Sequence, residues 1–218
     1  MISQAYIEFF QELKANNNRE WFHEHKGMYE RDVKEPFIEL VRQLIPAVME
    51  KEPAILPDPK KALFRINRDI RFSKDKTPYN LIMKAGLSPG GKKSELPGYY
   101  LGIDAEYVHI GGGLYQLDKQ VLTSVRRLIA QNLDEFEAII SDQVFVEHFG
   151  KLEGERAKRL DSEFKEVLSQ TPYIANKQFY SMAKISTRDF VKEKNQTKLI
   201  LAYFNTIHPL HAFLNKAF

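Results

Sequence analysis

The 218-residue chain contains no cysteine. That excludes a disulfide framework, a thiolate nucleophile and cysteine-ligated zinc together. Long apolar runs are also missing: no stretch approaches the roughly 18 residues that a membrane-spanning helix needs. The start, Met1-Ile2-Ser3-Gln4-Ala5-Tyr6, lacks the basic region and apolar run of a secretory signal. A cytoplasmic protein with no membrane partner is the expectation. No repeat, low-complexity tract or convincing linker interrupts the chain. A hydrophobic fraction of 43% with 12% aromatics is enough to build a core and argues against disorder. One α+β domain over residues 1–218 is therefore expected.

Excess charge is small, +3 overall, but it is not evenly spread. Between Lys60 and Lys76, seven basic residues face only Asp69 and Asp75, a local net of +5 that leaves −2 for the remainder. Net charge alone says nothing about a nucleic-acid partner, whereas a local cluster can.

Apolar residues recur at spacings of three and four from Trp21 to Val48, the pattern of a long amphipathic helix. Asn17 followed by Glu20 fits a capping box at its start, and Pro36 must kink it or begin a second helix. Leu63 to Phe72 alternates instead, with Phe64, Ile66, Ile70 and Phe72 on one face. Period two predicts a strand with one buried side, packed against the helix at 37–48. Further strands are expected at 85–88, 99–104, 107–115 and 179–185, the middle two as a hairpin. A second long helix is expected over 121–140 with Asp118 as its N-cap. The final helical region should break so that Pro209 opens a last short helix. Residues 151–175 read as a lid or a solvated helix pair. Strands grouped rather than alternating with helices predict α+β: a mostly antiparallel sheet of about five strands against several amphipathic helices.

Residues 65–79 carry the most chemistry. On the strand reading Arg68 falls among apolar neighbours, where its five donors need a carboxylate or carbonyls. On the opposite face Arg65 and Arg71 flank Asp69, and Ser73, Lys74, Asp75, Lys76 and Thr77 form a polar loop closed by Pro78. One reading is a structural network in which Asp69 and Asp75 neutralise the arginines. The other is an anion site, because arginine forks match phosphate or carboxylate bidentately and loop lysines add charge.

The run Phe64-Arg65-Ile66-Asn67-Arg68-Asp69-Ile70-Arg71-Phe72-Ser73-Lys74-Asp75-Lys76-Thr77-Pro78-Tyr79 resembles the motif of a conserved hypothetical family, domain of unknown function 2461. Asn16-Asn17, Trp21-Phe22, Gly98-Tyr99-Tyr100, Gly111-Gly112-Gly113-Leu114-Tyr115, Pro209-Leu210 and Phe213-Leu214 extend the resemblance nearly end to end. Arg156 to Pro172 departs from the family's basic Pro- and Gly-containing stretch. The resemblance implies no catalytic role for any residue.

Other constellations are sparser. Tyr107, His109, Gly111, Gly113 and Tyr115 share one face of the second hairpin strand, either a pocket floor opened by glycines or a solvated face. The three glycines are no phosphate loop, since no Lys-Ser/Thr follows. His23 and His25 point apart on a helix, with His25 expected in the core. His208 and His211 stand at i, i+3 without a third ligand, so no metal site is expected. Nothing in the sequence names a cofactor. Three readings follow. The first is an anion-binding domain using Arg65, Arg68, Arg71, Lys74 and Lys76, with Asp69 orienting the arginines and Tyr79, His109 and Tyr115 lining the site. Its ligand would be a phosphorylated metabolite or a nucleic-acid backbone. The second is an enzyme on a phosphorylated or carboxylated substrate, with Asp69 or Asp75 as base and His109 as acid. The third is a protein-interaction module with no small-molecule site.

Overall fold

The computed structural model describes residues 1–92 and 94–218. A four-stranded antiparallel meander forms its centre, with β1 (Ile82–Leu87), β2 (Gly98–Asp104), β3 (Tyr107–Leu114) and β4 (Phe179–Ser186) in sequential order. The hairpin between β2 and β3 is closed by Asp104, whose Oδ1 accepts from the amides of Glu106 and Tyr107 at 2.7 Å each. One face of the sheet carries Met83, Ala85, Leu87, Tyr99, Leu101, Ile103, Val108, Ile110, Leu114 and Phe179, all buried. The helices lie on that face.

In chain order the first helices are α1 (Gln4–Ala15), α2 (Arg19–Glu24), α3 (Lys26–Met28), α4 (Glu35–Met49) and α5 (Pro59–Ala62). Tyr6 on α1 donates its hydroxyl to the Ile103 carbonyl at 2.8 Å, which fixes that helix to the sheet. Asn18 rather than Asn17 caps α2, accepting from the Trp21 amide at 2.9 Å. The expected long helix is present in pieces. A π-helical stretch, Tyr29–Lys34, joins α3 to α4, and the Glu35 amide reaches back to Glu30. Pro36 follows in the first turn of α4. It has no amide hydrogen to give, so the turn before it is free to widen.

Beyond the hairpin come α6 (Lys119–Gln131), α7 (Leu133–Ile140) and α8 (Gln143–Phe149), and after β4 come α9 (Thr187–Phe190) and α10 (Gln196–Asn215). Asp118 caps α6 as expected, accepting from Val121 at 2.8 Å. The helix expected over 121–140 breaks at Asn132, whose backbone amide and side chain both return to the Leu128 carbonyl at 3.0 Å. The break expected at Pro209 does not occur. Helix α10 runs straight through it along β3. Burial of Ile207, Leu210, Phe213 and Leu214 offsets the lost hydrogen bond, a cost of about 3 kcal/mol. Residues 151–175 form no helix pair. They trace the outer edge of β4 through Glu153, whose amide donates to Tyr180 at 2.7 Å, and then turn in short 3₁₀ segments with Phe164 and Ile174 buried.

The fifth strand is the main correction. Residues 63–68 do run beside β1, with bridges Leu63–Ala85 and Asn67–Tyr79, but they make no continuous ladder. From Asp69 the chain leaves the sheet altogether. Of the four residues expected to be buried, only Ile66 is; Phe72 is 95% exposed. Alternation lost to turn chemistry. The Asp69 carboxylate accepts from the Arg71 amide at 3.3 Å and that of Asp75 from the Thr77 amide at 2.9 Å. Two such side-chain-closed turns within nine residues offer the backbone a better set of partners than a sheet edge.

A single hydrophobic cluster runs from Ile2 to Leu214. No helix among the described residues is long and apolar enough to cross a membrane.

Candidate functional site

The loop from Leu63 to Asn80 is built around Arg68. Its backbone amide donates to the Pro78 carbonyl at 2.8 Å. Its guanidinium donates to Asp75 Oδ2 at 2.5 Å and to the Thr77 carbonyl at 3.2 Å, and also engages the Thr77 hydroxyl. The side chain is 24% exposed, so Arg68 closes the loop at its neck. Further out, Arg71 forks onto Asp69 at 3.0 and 2.7 Å, and Lys76 donates to the Ile70 carbonyl at 2.9 Å.

These pairings set the carboxylates' chemistry. Hydrogen bonds from the Arg71 side chain and amide hold Asp69 down to about 2. The Thr77 amide, then Arg68, then the Thr77 hydroxyl do the same for Asp75. Carboxylates that acidic accept protons poorly near neutral pH, so neither suits the general-base role the sequence allowed.

The nine residues singled out from the sequence do not converge on one point. Arg65, Arg68 and Asp69 line a hollow of about 320 Å³ with Phe64, Asn67, Asn80 and Lys84. Arg71, Lys74 and Lys76 lie on the exposed outer loop. Tyr79 is in the core, stacked on Phe22 at 4.0 Å between centroids. His109 and Tyr115 stand on and just beyond β3, two strands away from the loop. Lys84 was missed. Its strand was expected to begin at Ala85, one residue too late to include it. Arg65 and Lys84 form no ion pair among the described residues. A larger hollow of about 410 Å³ along α6 has its one arginine, Arg127, already forked onto Glu163 at 3.2 and 3.1 Å.

Lys84 also belongs to the second face of the sheet. Register places Lys84, Gly102, His109 and Lys184 in one row across all four strands. His109 Nε2 is 2.9 Å from Asp104 Oδ2. Burial alone would raise Asp104, but His109 and the Tyr107 and Glu106 amides together hold it below the usual carboxylate range. Lys184 sits over the Tyr107 ring at 6.0 Å, Lys84 and Lys92 over Phe64 at 5.9 and 5.8 Å. Tyr115 packs edge-on against Tyr180 at 5.3 Å.

On the face with His109, a Cβ on Gly111 or Gly113 would run into the β4 backbone at Ser181 or Phe179, so those glycines let β3 and β4 pair closely. A Cβ on Gly112 would lie 2.7 Å from His211 Nε2, and Gly113 has φ +125°. His211 is fully buried, and neither ring nitrogen has a hydrogen-bond partner among the described residues. Nearby, His208 Nδ1 meets the Tyr99 hydroxyl at 3.0 Å and Glu52 Oε1 at 3.8 Å. No cluster of three metal-ligating side chains occurs among the described residues. His25 stacks on Trp21 at 4.1 Å and bonds the Trp21 carbonyl through Nδ1 at 2.8 Å, half-buried at the edge of the helical layer.

The family model described as "Conserved hypothetical protein (DUF2461)" matches residues 5–213, and the chain belongs to that family. No curated protein matches the chain.

Proposed function

We propose that this member of the family binds a phosphate-bearing ligand in the hollow between the 63–80 loop and β1. Arg65 and Lys84 are the anion contacts, and Arg68 shapes the rim while bound to Asp75. The observation that carries the reading is the contrast within the loop. Arg68 and Arg71 are ion-paired, whereas Arg65 and Lys84 line one hollow without an ion pair among the described residues, the carboxylate that lines it with them, Asp69, being forked by Arg71. Two cations that line one hollow repel each other, and a phosphate bound between them turns that repulsion into two charge-assisted contacts. Arg71, Lys74 and Lys76 add to the positive field at the entrance.

The test is a thermal-shift titration with inorganic phosphate, pyrophosphate and chloride at matched ionic strength. At about ten times Kd a bound ligand stabilises by about 1.4 kcal/mol, which raises Tm by about 3–6 °C for a chain of this size. Arg65→Gln with Lys84→Gln should remove the shift without lowering the unliganded Tm. Equal response to chloride and pyrophosphate would sink the proposal.

The Asp104–His109 pair supports a second reading, an enzyme acting on the bound phosphate compound. A carboxylate 2.9 Å from the imidazole orients it for proton transfer. Loss of phosphoester turnover in His109→Gln, with pyrophosphate binding in the hollow retained, would favour that reading.

A further inference from the structure

From the uncovered face of the sheet we infer that the ligand is single-stranded nucleic acid, whose bases lie across β2 and β3 while its backbone enters the hollow. This rests on the phosphate reading above and names the polymer that carries the phosphate. The helices pack on the opposite face, and of the row Lys84–Gly102–His109–Lys184 the last is exposed, Lys84 and His109 are part-buried, and Gly102 lies under the Tyr100 and Ile82 side chains. Four strands at roughly 4.8 Å spacing make that row about 14 Å long, room for the two or three bases that a four-stranded sheet can stack.

The chemistry of the face fits that occupant. Tyr100 lies down along the strand. Its hydroxyl and Cε1 come within 2.9 and 3.1 Å of where a Cβ on Gly102 would be. Glycine at 102 leaves room for that ring, since a Cβ there would also lie 3.0 Å from Ile82 Cδ1. Tyr107, 45% exposed, and His109 continue the aromatic surface on β3. Lys84 at one end of the row and Lys184 at the other have no carboxylate partner among the described residues. Asp104, the acid on that face between the two lysines among the described residues, is occupied by His109 and two amides. A cationic border around aromatic side chains is complementary to a chain of phosphates bearing unstacked bases. A duplex hides its base faces and offers such a surface only its backbone. Glu153 and Glu155 lie near Tyr180, which directs the strand along the lysine row rather than toward the far end of β4.

The experiment is fluorescence anisotropy with labelled twelve-nucleotide oligo(dT) and oligo(U), the same lengths as duplexes, and unlabelled pyrophosphate as competitor. Single strands should bind at least tenfold tighter than duplexes. The log–log salt slope should be about −2, from Arg65, Lys84 and Lys184 at about 0.7 each. Tyr107→Ala, at an exposed position, should weaken binding about tenfold or more. Gly102→Ala keeps every aromatic but lifts the Tyr100 ring, and should weaken binding by a similar factor with the fold intact by circular dichroism. A preference for ribose over deoxyribose strands would identify RNA as the source. Equal binding of single strand and duplex, or both variants within twofold of wild type, would overturn the sheet-face inference. If pyrophosphate binding survives in that case, the phosphate hollow stands without it. Absence of binding to every phosphate compound would overturn both.

Discussion

The side-chain amide of Asn17 closes two hydrogen bonds on the backbone of Tyr79, donating to its carbonyl at 3.0 Å and accepting from its amide at 3.1 Å. A side chain here stands in for a neighbouring strand and ties the 63–80 loop to the connection between α1 and α2. Tyr79 is buried, so truncating Asn17 strands two backbone groups away from water. Asn17→Ala should cost about 2–3 kcal/mol, read as a lower urea midpoint at unchanged m-value. An unchanged midpoint would mean that the loop is held by Arg68 alone.

Asn17 also shows where sequence patterns stop. An Asn three residues before a Glu is a capping signal, and the cap does exist, but one residue later, at Asn18. Nothing local distinguishes the asparagine that caps from the one that reaches 62 residues along the chain. The α+β class, the β2–β3 hairpin, β4 and the Asp118 cap were legible because period and turn chemistry agreed there. The 63–72 stretch was not, because its alternation and its Asp-closed turns point to different structures, and spacing does not rank them. The candidate site suffered accordingly. Arg65 and Arg68 were visible as charges in a basic run, but Lys84 joins them only through the sheet edge. Tyr79 was placed with the site when its ring belongs to the core against Phe22.

Arg68 and Arg71 should respond differently to substitution although both pair with an aspartate. Arg68 is largely sheltered and bonds three residues of its own loop, whereas Arg71 is 75% exposed and bonds only Asp69. An exposed pair is screened by solvent and contributes little. Arg68→Met should lower Tm measurably and increase proteolytic nicking between residues 69 and 76. Arg71→Met should leave both within error. Equal losses would show that the outer pair also holds the loop.

Two glycines give a paired test of packing. Gly27 lies in a helix with nothing within 4 Å of an added methyl group. Gly27→Ala should therefore stabilise by about 0.5–1 kcal/mol. At Gly112 the same methyl would lie 2.5 Å from the Gly98 carbonyl oxygen and 2.7 Å from His211. Neither the strand backbone nor the buried ring can withdraw, so Gly112→Ala should cost about 1–3 kcal/mol or more. Both are read by urea unfolding. A neutral Gly112→Ala would show that β2 and β3 can separate without penalty.

His211 should make the protein acid-sensitive in a window set by one ring. Burial, with a smaller contribution from His208, holds its imidazole down to about 3, against about 6.5 in an unfolded chain. Between those values the unfolded state binds a proton that the folded state refuses. The folded-state value is depressed, so stability is highest above pH 6.5 and falls as the pH drops toward 3. Between pH 7 and pH 5 the His211 contribution to that fall should be about 2 kcal/mol. Burial acts on Glu52 in the opposite sense, raising it, so that acidification through its window restores some stability. Comparison with a variant isolates the histidine. His211→Met fills similar space without the two unpartnered ring nitrogens. It should be neutral or stabilising at pH 7 and should lose less stability between pH 7 and pH 5 than wild type by about 2 kcal/mol, measured by urea unfolding at each pH. Parallel pH profiles for the two proteins would mean that His211 is not kept neutral in the fold, and that the space under Gly112 admits a proton and its hydration.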